Sequence, residues 1–359
     1  MIKPSKYVEK LNAYNITSQD VWADEAPKDI LKLDWNEAPY DFPFYKDELQ
    51  KISKERGILS WYPDYMTSKL SSKISDYLSI PETNLSIFPG SDVALETFSR
   101  AYLSPDDEVL VIAPTYENAF VFFLQTGAHI KFLDIPKPFQ VDLSVISEEI
   151  LLIKPKMVYL VNPNNPCGYS VKTEEIEDLV KQHPHTIFII DEAYIEFSDV
   201  SSSKDLVREN ENIAIFRTFS KAFGLAGIRL GFMIAPLSII NVVEKIRNGK
   251  NISMISQRLG VCALDNINKI NIWIEDVKSS RDILSEWCKR NNIIFYPSHG
   301  NFLLFETKKP QELLLYLKSN GVYIRDRSKI IDSCVRITLG GKKETDKLLS
   351  LLNNVMDLF

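Results

Sequence analysis

The sequence predicts an α/β protein with a large domain, whose mostly parallel sheet carries helices on both faces, and a smaller α+β domain. From about residue 84 to 235, short apolar runs alternate with segments of helical spacing. Apolar runs of this kind indicate strands buried on both faces, and helical connections between them indicate a parallel sheet. After about residue 250, a long amphipathic segment is followed by strands and helices in mixed order. We therefore place an N-terminal arm at 1–30, the large domain at 31–250 and the small domain at 251–359.

Six apolar runs of the large domain are predicted to be strands, namely 109–113, 130–135, 157–161, 186–191, 213–217 and 231–235. Helices are predicted in SDVALETFSRAYL, YENAFVFFLQTG and TEEIEDLVKQH, with Ser91 and Thr115 as N-caps of the first two. In open α/β sheets, ligands bind at the carboxyl ends of the strands. The motifs described below lie at such ends or just after them.

The composition is that of a soluble globular protein, with 45% apolar and 25% charged residues. The four cysteines lack the spacing of a zinc site or a disulfide framework, which fits a reducing, cytoplasmic location. The net charge is −6 with both signs interspersed, and no apolar run is long enough to span a bilayer. We therefore expect no metal, no nucleic acid and no membrane among the partners, and a local basic pocket for any anionic substrate.

The segment RTFSKAFGLAGIRLGF, residues 217–232, carries the strongest chemical signal. Lys221 follows Ser220 directly and precedes Arg229 by eight residues, with small residues between them. An amine beside a hydroxyl and a guanidinium suits an aldehyde cofactor that carries a phosphate, because Lys221 can form a Schiff base while Ser220 and Arg229 bind the phosphate. The alternative is a solvated lysine and arginine that flank a glycine-rich turn.

Two further motifs suit the ring of such a cofactor. Asp191 ends an apolar strand, where it can pair with a protonated pyridine nitrogen, or instead cap a helix or pair with a core arginine. Tyr194 can direct its hydroxyl to the phenolic oxygen of the ring, unless it is an ordinary half-buried tyrosine. Asn165, in the turn of LVNPNNPCGYS, can donate to a cofactor oxygen or only stabilise the turn.

The segment IFPGSDVALE places Ser91 and Asp92 at the start of a helix, where free backbone N–H groups suit a phosphate. A simple N-cap explains the same residues. Tyr116 follows the strand 109–113, where its ring can stack on a planar cofactor or belong to the core.

Three arginines lie near the C-terminus. Arg336 is within an apolar strand, and its guanidinium fork matches a carboxylate. Arg325 and Arg327 add positive charge in the same domain, although both could be surface charges near Asp326.

Together, SKAFGLAGIR, IIDEAYIEF, NPNNPCG, the YPD of residues 62–64 and the VRIT near the end resemble the fold type I aminotransferases that use pyridoxal phosphate. Within that group the chain looks most like the histidinol-phosphate aminotransferases, from LDWNEAPY at 33–40 to the C-terminal helix. The resemblance implies a homodimer with shared active sites.

The resemblance also implies roles for individual residues. Lys221 would form the Schiff base and move the proton, Asp191 would hold the pyridine nitrogen, Tyr194 and Asn165 would bind the ring oxygen, and Tyr116 would stack. The phosphate would be surrounded by Ser91, Asp92, Thr218, Ser220, Arg229 and Tyr62 of the neighbouring subunit. The substrates would be bound by Arg336 at the carboxylate of the amino donor, Arg325 at a substrate phosphate, and Asn36.

The chain departs from the family pattern at the substrate end of the site, at Asp34, Trp35, Ala38 and Trp61, and in a shorter loop between RDRS and VRIT. The expected reaction is transamination between glutamate and a phosphorylated carbonyl compound, either imidazole acetol phosphate or a short keto-phosphate of the kind used in surface-polysaccharide synthesis. Decarboxylation of a phosphorylated amino acid and a non-catalytic, cofactor-binding regulatory role are the alternatives.

Overall fold

The computed structural model describes residues 2–9, 11, 22 and 30–359. The larger sheet has seven strands, which are β2 Leu85–Phe88, β3 Glu108–Ala113, β4 His129–Asp134, β5 Met157–Val161, β6 Ile187–Asp191, β7 Ile213–Thr218 and β8 Gly231–Ile234. Their order is β2-β8-β7-β6-β5-β3-β4, and only β8 runs antiparallel to its neighbours. The predicted α/β class with a mostly parallel sheet is confirmed.

The sheet is buried on both faces because alternate residues of its strands enter two separate cores. In β6, Phe188 and Ile190 belong to one apolar cluster and Ile189 belongs to the other. The helices that follow the strands of this region are α3 Ser91–Tyr102, α4 Ala119–Leu124, α5 Leu143–Ile153, α6 Thr173–Gln182 and α7 Leu237–Val243.

The second sheet has five strands, which are β1 Leu31–Leu33, β9 Phe295–Tyr296, β10 Phe302–Glu306, β11 Val322–Asp326 and β12 Cys334–Thr338. Their order is β1-β11-β12-β10-β9, with β1 parallel to β11 and the other pairs antiparallel. Its region also contains α9 Ile267–Arg290, α10 Pro310–Ser319 and α11 Lys342–Leu352. Among the described residues, no helix has the length and apolar character needed to cross a membrane.

At each end of the predicted large domain, one element packs with the other part of the chain. Strand β1 lies within the predicted range 31–250 but pairs with β11 of the second sheet. The remaining helices are α1 Pro43–Ile52, α2 Ser68–Leu78 and α8 Met254–Asp265. Helix α8 follows residue 250 but packs against α1 and α2. The chain thus crosses between the two regions more often than a single division near residue 250 implies.

The six predicted strands are confirmed to within one residue at each end, but both predicted N-caps are wrong. Ser91 is the first residue of α3, and Gly90 takes the N-cap position with a positive φ of 90°. The N-cap of α4 is Asn118, three residues beyond Thr115. Neither helix has a side-chain cap, so the N-terminal N–H groups of α3 stay available to a ligand.

A close backbone approach fixes the start of α3 against β8. A Cβ built at Gly231, the first residue of β8, would lie 2.6 Å from the backbone nitrogen of Ser91. At Gly90, a Cβ would lie 2.6 Å from Nη2 of Arg229. Glycine is therefore required at position 231 by the proximity of the α3 backbone, and at position 90 by its positive φ, since the end of the Arg229 side chain can shift.

We expect Gly231→Ala to lower the free energy of unfolding by about 1–3 kcal/mol, because the added methyl must displace the backbone of α3. Gly227→Ala is the matched control, since no heavy atom of the described residues, apart from its chain neighbours, lies within 4 Å of a Cβ at that position. Urea unfolding of the two variants measures the difference. An equal effect of both substitutions would contradict the packing argument.

Candidate active site

The candidate site lies at one edge of the large sheet. Strands β3, β5, β6 and β7 are parallel, so their carboxyl ends meet there, and antiparallel β8 begins at the same edge. Asp191 and Thr218 are the last residues of β6 and β7, and the turn that contains Asn165 follows β5. The edge therefore collects the motifs that the sequence analysis singled out.

A group of donors surrounds the N-terminus of α3. The hydroxyl of Thr218 donates to Oγ of Ser220 at 3.0 Å, and Nη1 of Arg229 donates to the same oxygen at 3.4 Å. Nη2 of Arg229 lies 3.5 Å from Oδ2 of Asp92. With the uncapped N–H groups that begin at Ser91, this cluster can bind a phosphate, because guanidinium, hydroxyl and helix N-terminus all favour an anion.

Asp191 is buried, and two hydrogen bonds hold its carboxylate. The hydroxyl of Tyr159 donates to Oδ2 at 3.0 Å, and the backbone N–H of Ala193 donates to Oδ1 at 3.1 Å. Burial nevertheless raises the pKa of Asp191 to about 6. The carboxylate therefore favours a cationic partner at this position. Tyr159 was not predicted; its only signal is a hydroxyl-bearing residue within an apolar strand.

Lys221 lies among the predicted ring-binding residues. Its Nζ donates to the backbone oxygen of Trp35 at 2.8 Å and lies 5.8 Å from the centroid of the Tyr194 ring. The hydroxyl of Tyr194 accepts hydrogen bonds from Nδ2 of Asn165 at 3.0 Å and from Nδ2 of Asn36 at 3.1 Å. The structure thus brings the amine, the phenol and both amides into one cluster.

Arg336 faces this cluster from the second sheet. It is buried, and it donates to the backbone oxygen of Asp34 at 2.7 Å and to Oδ1 of Asn165. Its Nε has no hydrogen-bond partner among the described residues. Burial, together with the charges of Arg327 and Arg325, lowers the pKa of Arg336 to about 9, so the side chain is still charged at neutral pH. A buried guanidinium that bonds only neutral oxygens is well suited to bind an anion.

Asn36 joins the two sheets at the site. It has a positive φ of 57°, and its backbone N–H donates to Oγ1 of Thr338 at 2.9 Å. Asn301 donates from Nδ2 to the backbone oxygen of Asn36 at 3.1 Å. Thr338 and Asn301 were not predicted, because their importance arises from contacts with residues far away in the sequence.

Three predicted residues lie outside this cluster. Tyr116 donates to Oδ1 of Asp92 at 3.1 Å, at the rim of the phosphate-binding donors. Tyr62 is 81% exposed, with Nζ of Lys250 4.8 Å from the centroid of its ring, and no hydrogen bond between described residues joins it to the donors. Arg325 pairs directly with Arg336 in the register of β11 and β12.

The surface interpretation of Arg327 is wrong. Arg327 is only 6% exposed, and its Nη1 lies 3.3 Å from Oε2 of Glu117. The carboxylate of Asp326 instead accepts hydrogen bonds from Ser328 and Gln311. The polar sequence around Arg327 hid its burial, because the turn after β11 folds against the loop after β3.

Taken together, the donors and the amine fit a planar aldehyde that carries a phosphate. The phosphate-binding donors, the buried carboxylate of Asp191 and Nζ of Lys221 belong to consecutive elements at one sheet edge. A Cβ at Gly231 would obstruct the N-terminus of α3, and one at Gly90 would meet the guanidinium of Arg229.

Comparison with known proteins agrees with this chemistry. A dihydroxyacetone phosphate transaminase of Campylobacter jejuni is 32% identical to the chain over 348 residues, which cover 96% of this chain and 94% of the relative. A histidinol-phosphate aminotransferase of a Geobacillus species is 31% identical over 338 residues, or 91% of this chain and 90% of the relative.

The crystal structure of histidinol-phosphate aminotransferase from Sinorhizobium meliloti in complex with pyridoxal-5'-phosphate has a TM-score of 0.88. It is 20% identical and covers 99% of this chain and 98% of that chain, which shows a shared fold. The profile of the family described as aminotransferase class I and II matches residues 28–352. The chain therefore belongs to the class I and II aminotransferases.

Proposed function

We propose that the protein is a pyridoxal-phosphate-dependent aminotransferase that transfers an amino group between glutamate or 2-oxoglutarate and a small phosphorylated carbonyl compound. Two observations support this proposal: Lys221 and Arg336 both donate to backbone oxygens of the segment 34–35, and Asp191 and the phosphate-binding donors lie at the carboxyl edge of the large sheet. When bound, pyridoxal phosphate supplies an electron sink that weakens the bonds at the carbon that bears the amino group.

The phosphate-binding donors would hold the cofactor in place. Thr218, Ser220 and Arg229 would bind the phosphate together with the N–H groups of Ser91 and Asp92. Asp92 would also orient Tyr116 through the bond between their side chains, so that the tyrosine ring stacks on the cofactor.

Asp191 would hold the protonated ring nitrogen. Burial disfavours the charge on this carboxylate, and a cation beside it reverses that effect. The hydroxyl of Tyr159 and the N–H of Ala193 fix the direction of the carboxylate. At the opposite side of the ring, Tyr194 and Asn165 would donate to the phenolic oxygen.

Lys221 would be the base that moves the proton of the reacting carbon. The Nζ hydrogen bond to the backbone oxygen of Trp35 holds the amine at the pocket, and release of that bond frees it for proton transfer. The adjacent Tyr194 ring, 5.8 Å from Nζ, limits the directions open to the side chain.

Arg336 would bind the α-carboxylate of glutamate. Its two hydrogen bonds go to neutral oxygens of Asp34 and Asn165, so a carboxylate adds the negative charge that these partners lack. Arg325, opposite Arg336 across the β11–β12 pair, would bind the phosphate of the carbonyl substrate, and Asn36 would line the same end of the pocket.

We favour a short keto-phosphate, such as dihydroxyacetone phosphate, over imidazole acetol phosphate. The similarity to the Campylobacter transaminase extends over 96% of the chain, and the departures at Asp34, Trp35 and Trp61 lie at the substrate end. Imidazole acetol phosphate is the second candidate, supported by the similarity to the Geobacillus enzyme. The fold is also shared with an L-threonine-O-3-phosphate decarboxylase of Porphyromonas gingivalis, but at 19% identity this likeness concerns the fold alone.

We further propose a homodimer with shared active sites. Tyr62, Trp61 and Tyr65 form an exposed aromatic surface, which suits an interface. In such a dimer, Tyr62 of one subunit would reach the phosphate-binding donors of the other. The division into an arm at 1–30, a cofactor domain at 31–250 and a small domain at 251–359 stays a proposal, with β1 and α8 as the elements that cross it.

Incubation of the cofactor-loaded protein with glutamate tests the reaction. We expect the visible absorbance of the pyridoxal form to be replaced by that of the pyridoxamine form, and dihydroxyacetone phosphate to restore the first spectrum. Release of carbon dioxide without this conversion would instead favour a decarboxylase. No response to any amino acid would favour a regulatory, cofactor-binding role.

We expect Lys221→Ala to lower the rate of glutamate conversion by about 10²–10⁴-fold or more, because the proton-transfer base is lost. Single-turnover spectroscopy measures this rate. Lys289→Ala is the control, since Lys289 is an exposed lysine of α9 that pairs with Glu286. Conversion at the wild-type rate in the Lys221 variant would refute its assignment.

The cofactor-free protein should show a pH-dependent cost of burying Asp191. The folded pKa of about 6 lies above the unfolded value of about 3.9, so the folded protein binds more protons at this site between these values. The cost is complete above the folded pKa and is relieved as the pH falls. Relative to Asp191→Asn, we expect the wild-type free energy of unfolding to rise by about 1–2 kcal/mol between neutral and mildly acidic pH.

Chemical denaturation of both cofactor-free proteins across this pH range measures the difference. Bound pyridoxal phosphate should abolish the pH dependence, because a cationic ring nitrogen lowers the pKa of Asp191. A stability difference that stays constant with pH in the cofactor-free proteins would contradict the assigned burial effect.

A further inference from the structure

Arg327 is a buried charge that the proposed mechanism does not use. It lies one residue beyond β11, and its backbone N–H donates to the oxygen of Cys334 at 3.1 Å, which continues the pairing of β11 with β12. Since side chains alternate along a strand, Arg327 is on the same face as Arg325, and Arg325 is directly opposite Arg336. The strand pairing therefore places three guanidinium groups on one face at the substrate end of the pocket.

Of the acidic side chains that the structure describes near Arg327, Asp326 bonds to other groups and Glu117 pairs with Arg327. Asp326, the nearest acidic neighbour in sequence, is bound to Ser328 at 2.8 Å through the backbone N–H and to Gln311 at 2.7 Å. Arg327 instead pairs with Glu117, whose side chain is 48% exposed and follows Tyr116 in the loop after β3. Partly exposed ion pairs are weak, so this carboxylate can exchange for another anion.

We propose that Arg327 is a specificity-determining residue that binds the phosphate dianion of the carbonyl substrate, with Glu117 as the counter-ion that the phosphate displaces. This inference rests on the proposed transamination and assigns its second substrate to short phosphorylated carbonyl compounds. Arg325 and Arg327 then bind the phosphate, while Arg336 remains beside Asn165, where the reacting carbon is brought to Lys221.

The arginine cluster should bind a phosphate monoester better than a second carboxylate, because a phosphate carries more negative charge. A phosphate brings up to two negative charges and three acceptor oxygens, which match two guanidinium forks. The like charges of Arg327 and Arg325 act on buried Arg336, and a dianion between them removes this repulsion. A neutral substrate leaves the repulsion among the three arginines in place, and a monoanion removes only part of it.

Binding of sn-glycerol 3-phosphate to the cofactor-loaded protein tests the proposal without turnover, because this probe has no carbonyl group. The loaded protein is used so that the phosphate-binding donors at α3 are already occupied. Isothermal titration calorimetry compares wild type with Arg327→Gln, Arg327→Lys and Glu117→Gln, with glycerol as the uncharged probe. Arg208→Gln is the matched control, since Arg208 is an exposed arginine paired with Asp205.

We expect Arg327→Gln to weaken glycerol 3-phosphate binding by about tenfold or more, and Arg327→Lys to weaken it less, because charge remains but the fork is lost. Glu117→Gln should tighten binding, because the competing carboxylate is removed. At saturating glutamate, the single-turnover rate of glutamate conversion should fall by less than the phosphate affinity in the Arg327 variants, since Arg336 and Lys221 are intact.

Unchanged phosphate affinity in Arg327→Gln, or weaker binding in Glu117→Gln, would overturn the proposal. Equal losses of phosphate affinity and glutamate conversion would also overturn it, because Arg327 would then act through the structure as a whole. If circular dichroism shows that Arg327→Gln is not folded, the affinities of Arg327→Lys and Glu117→Gln for glycerol 3-phosphate test the proposal instead. A wild-type protein that fails to convert glutamate contradicts the proposed function instead, independently of these affinities.

Discussion

The burial of charge at the carboxyl ends of β6 and β7 is the constraint on which the site depends. Asp191 is buried, and within the described part of the chain its carboxylate accepts hydrogen bonds from a phenol and a backbone N–H but forms no ion pair, so its charge is costly to bury unless a cation approaches it. The next residue, Glu192, forms a buried ion pair with Arg217 at 3.1 Å, and Arg217 also pairs with Glu196 at 2.8 Å. Because Arg217 precedes Thr218, this network fixes the end of β7 against the end of β6. Opposite sides of the two strands thus carry this ion-pair network and the predicted cofactor-binding groups.

A second constraint is the segment that follows β1. Its backbone oxygens accept hydrogen bonds from Arg336 at Asp34 and from Lys221 at Trp35, and the side chain of Asn36 donates to Tyr194. Strand β1 itself belongs to the second sheet. The segment therefore ties groups from both sheets to one point, and the position of the second sheet determines where the amine and the guanidinium lie relative to each other. In the proposed reaction, release of the Lys221 bond to this backbone would couple substrate binding to the contact between the two sheets.

The sequence predicts the large sheet well because its strands are continuous apolar runs, and the parallel order then places Asp191, Thr218 and the turn of Asn165 at one edge. It does not reveal β1, a three-residue strand whose partner lies about 290 positions away, as the register with Val322 shows. Tyr159 reads as an ordinary core residue, since its hydroxyl gains meaning only from the approach of Asp191. Arg327 is predicted to be a surface charge because its sequence neighbours are polar, and they give no sign that the loop after β3 covers it. Local periodicity and strand direction can therefore be predicted from the sequence, whereas contacts between polar groups far apart in the chain cannot.

The chain departs from the family pattern at the substrate end but keeps the residues predicted to bind the cofactor. Both can hold because the departing residues contact the site through backbone atoms. Asp34 contributes its backbone oxygen to Arg336, while its carboxylate pairs with Nζ of Lys32 at 2.9 Å. Trp35 likewise contributes a backbone oxygen to Lys221, and its ring lies 4.5 Å from Nζ of Lys32. Any residue provides a backbone oxygen, so side chains at these positions can change without loss of the contacts that hold the amine and the guanidinium. The chemistry can then be retained while the pocket wall is altered, which is the condition for one scaffold to accept different phosphorylated substrates.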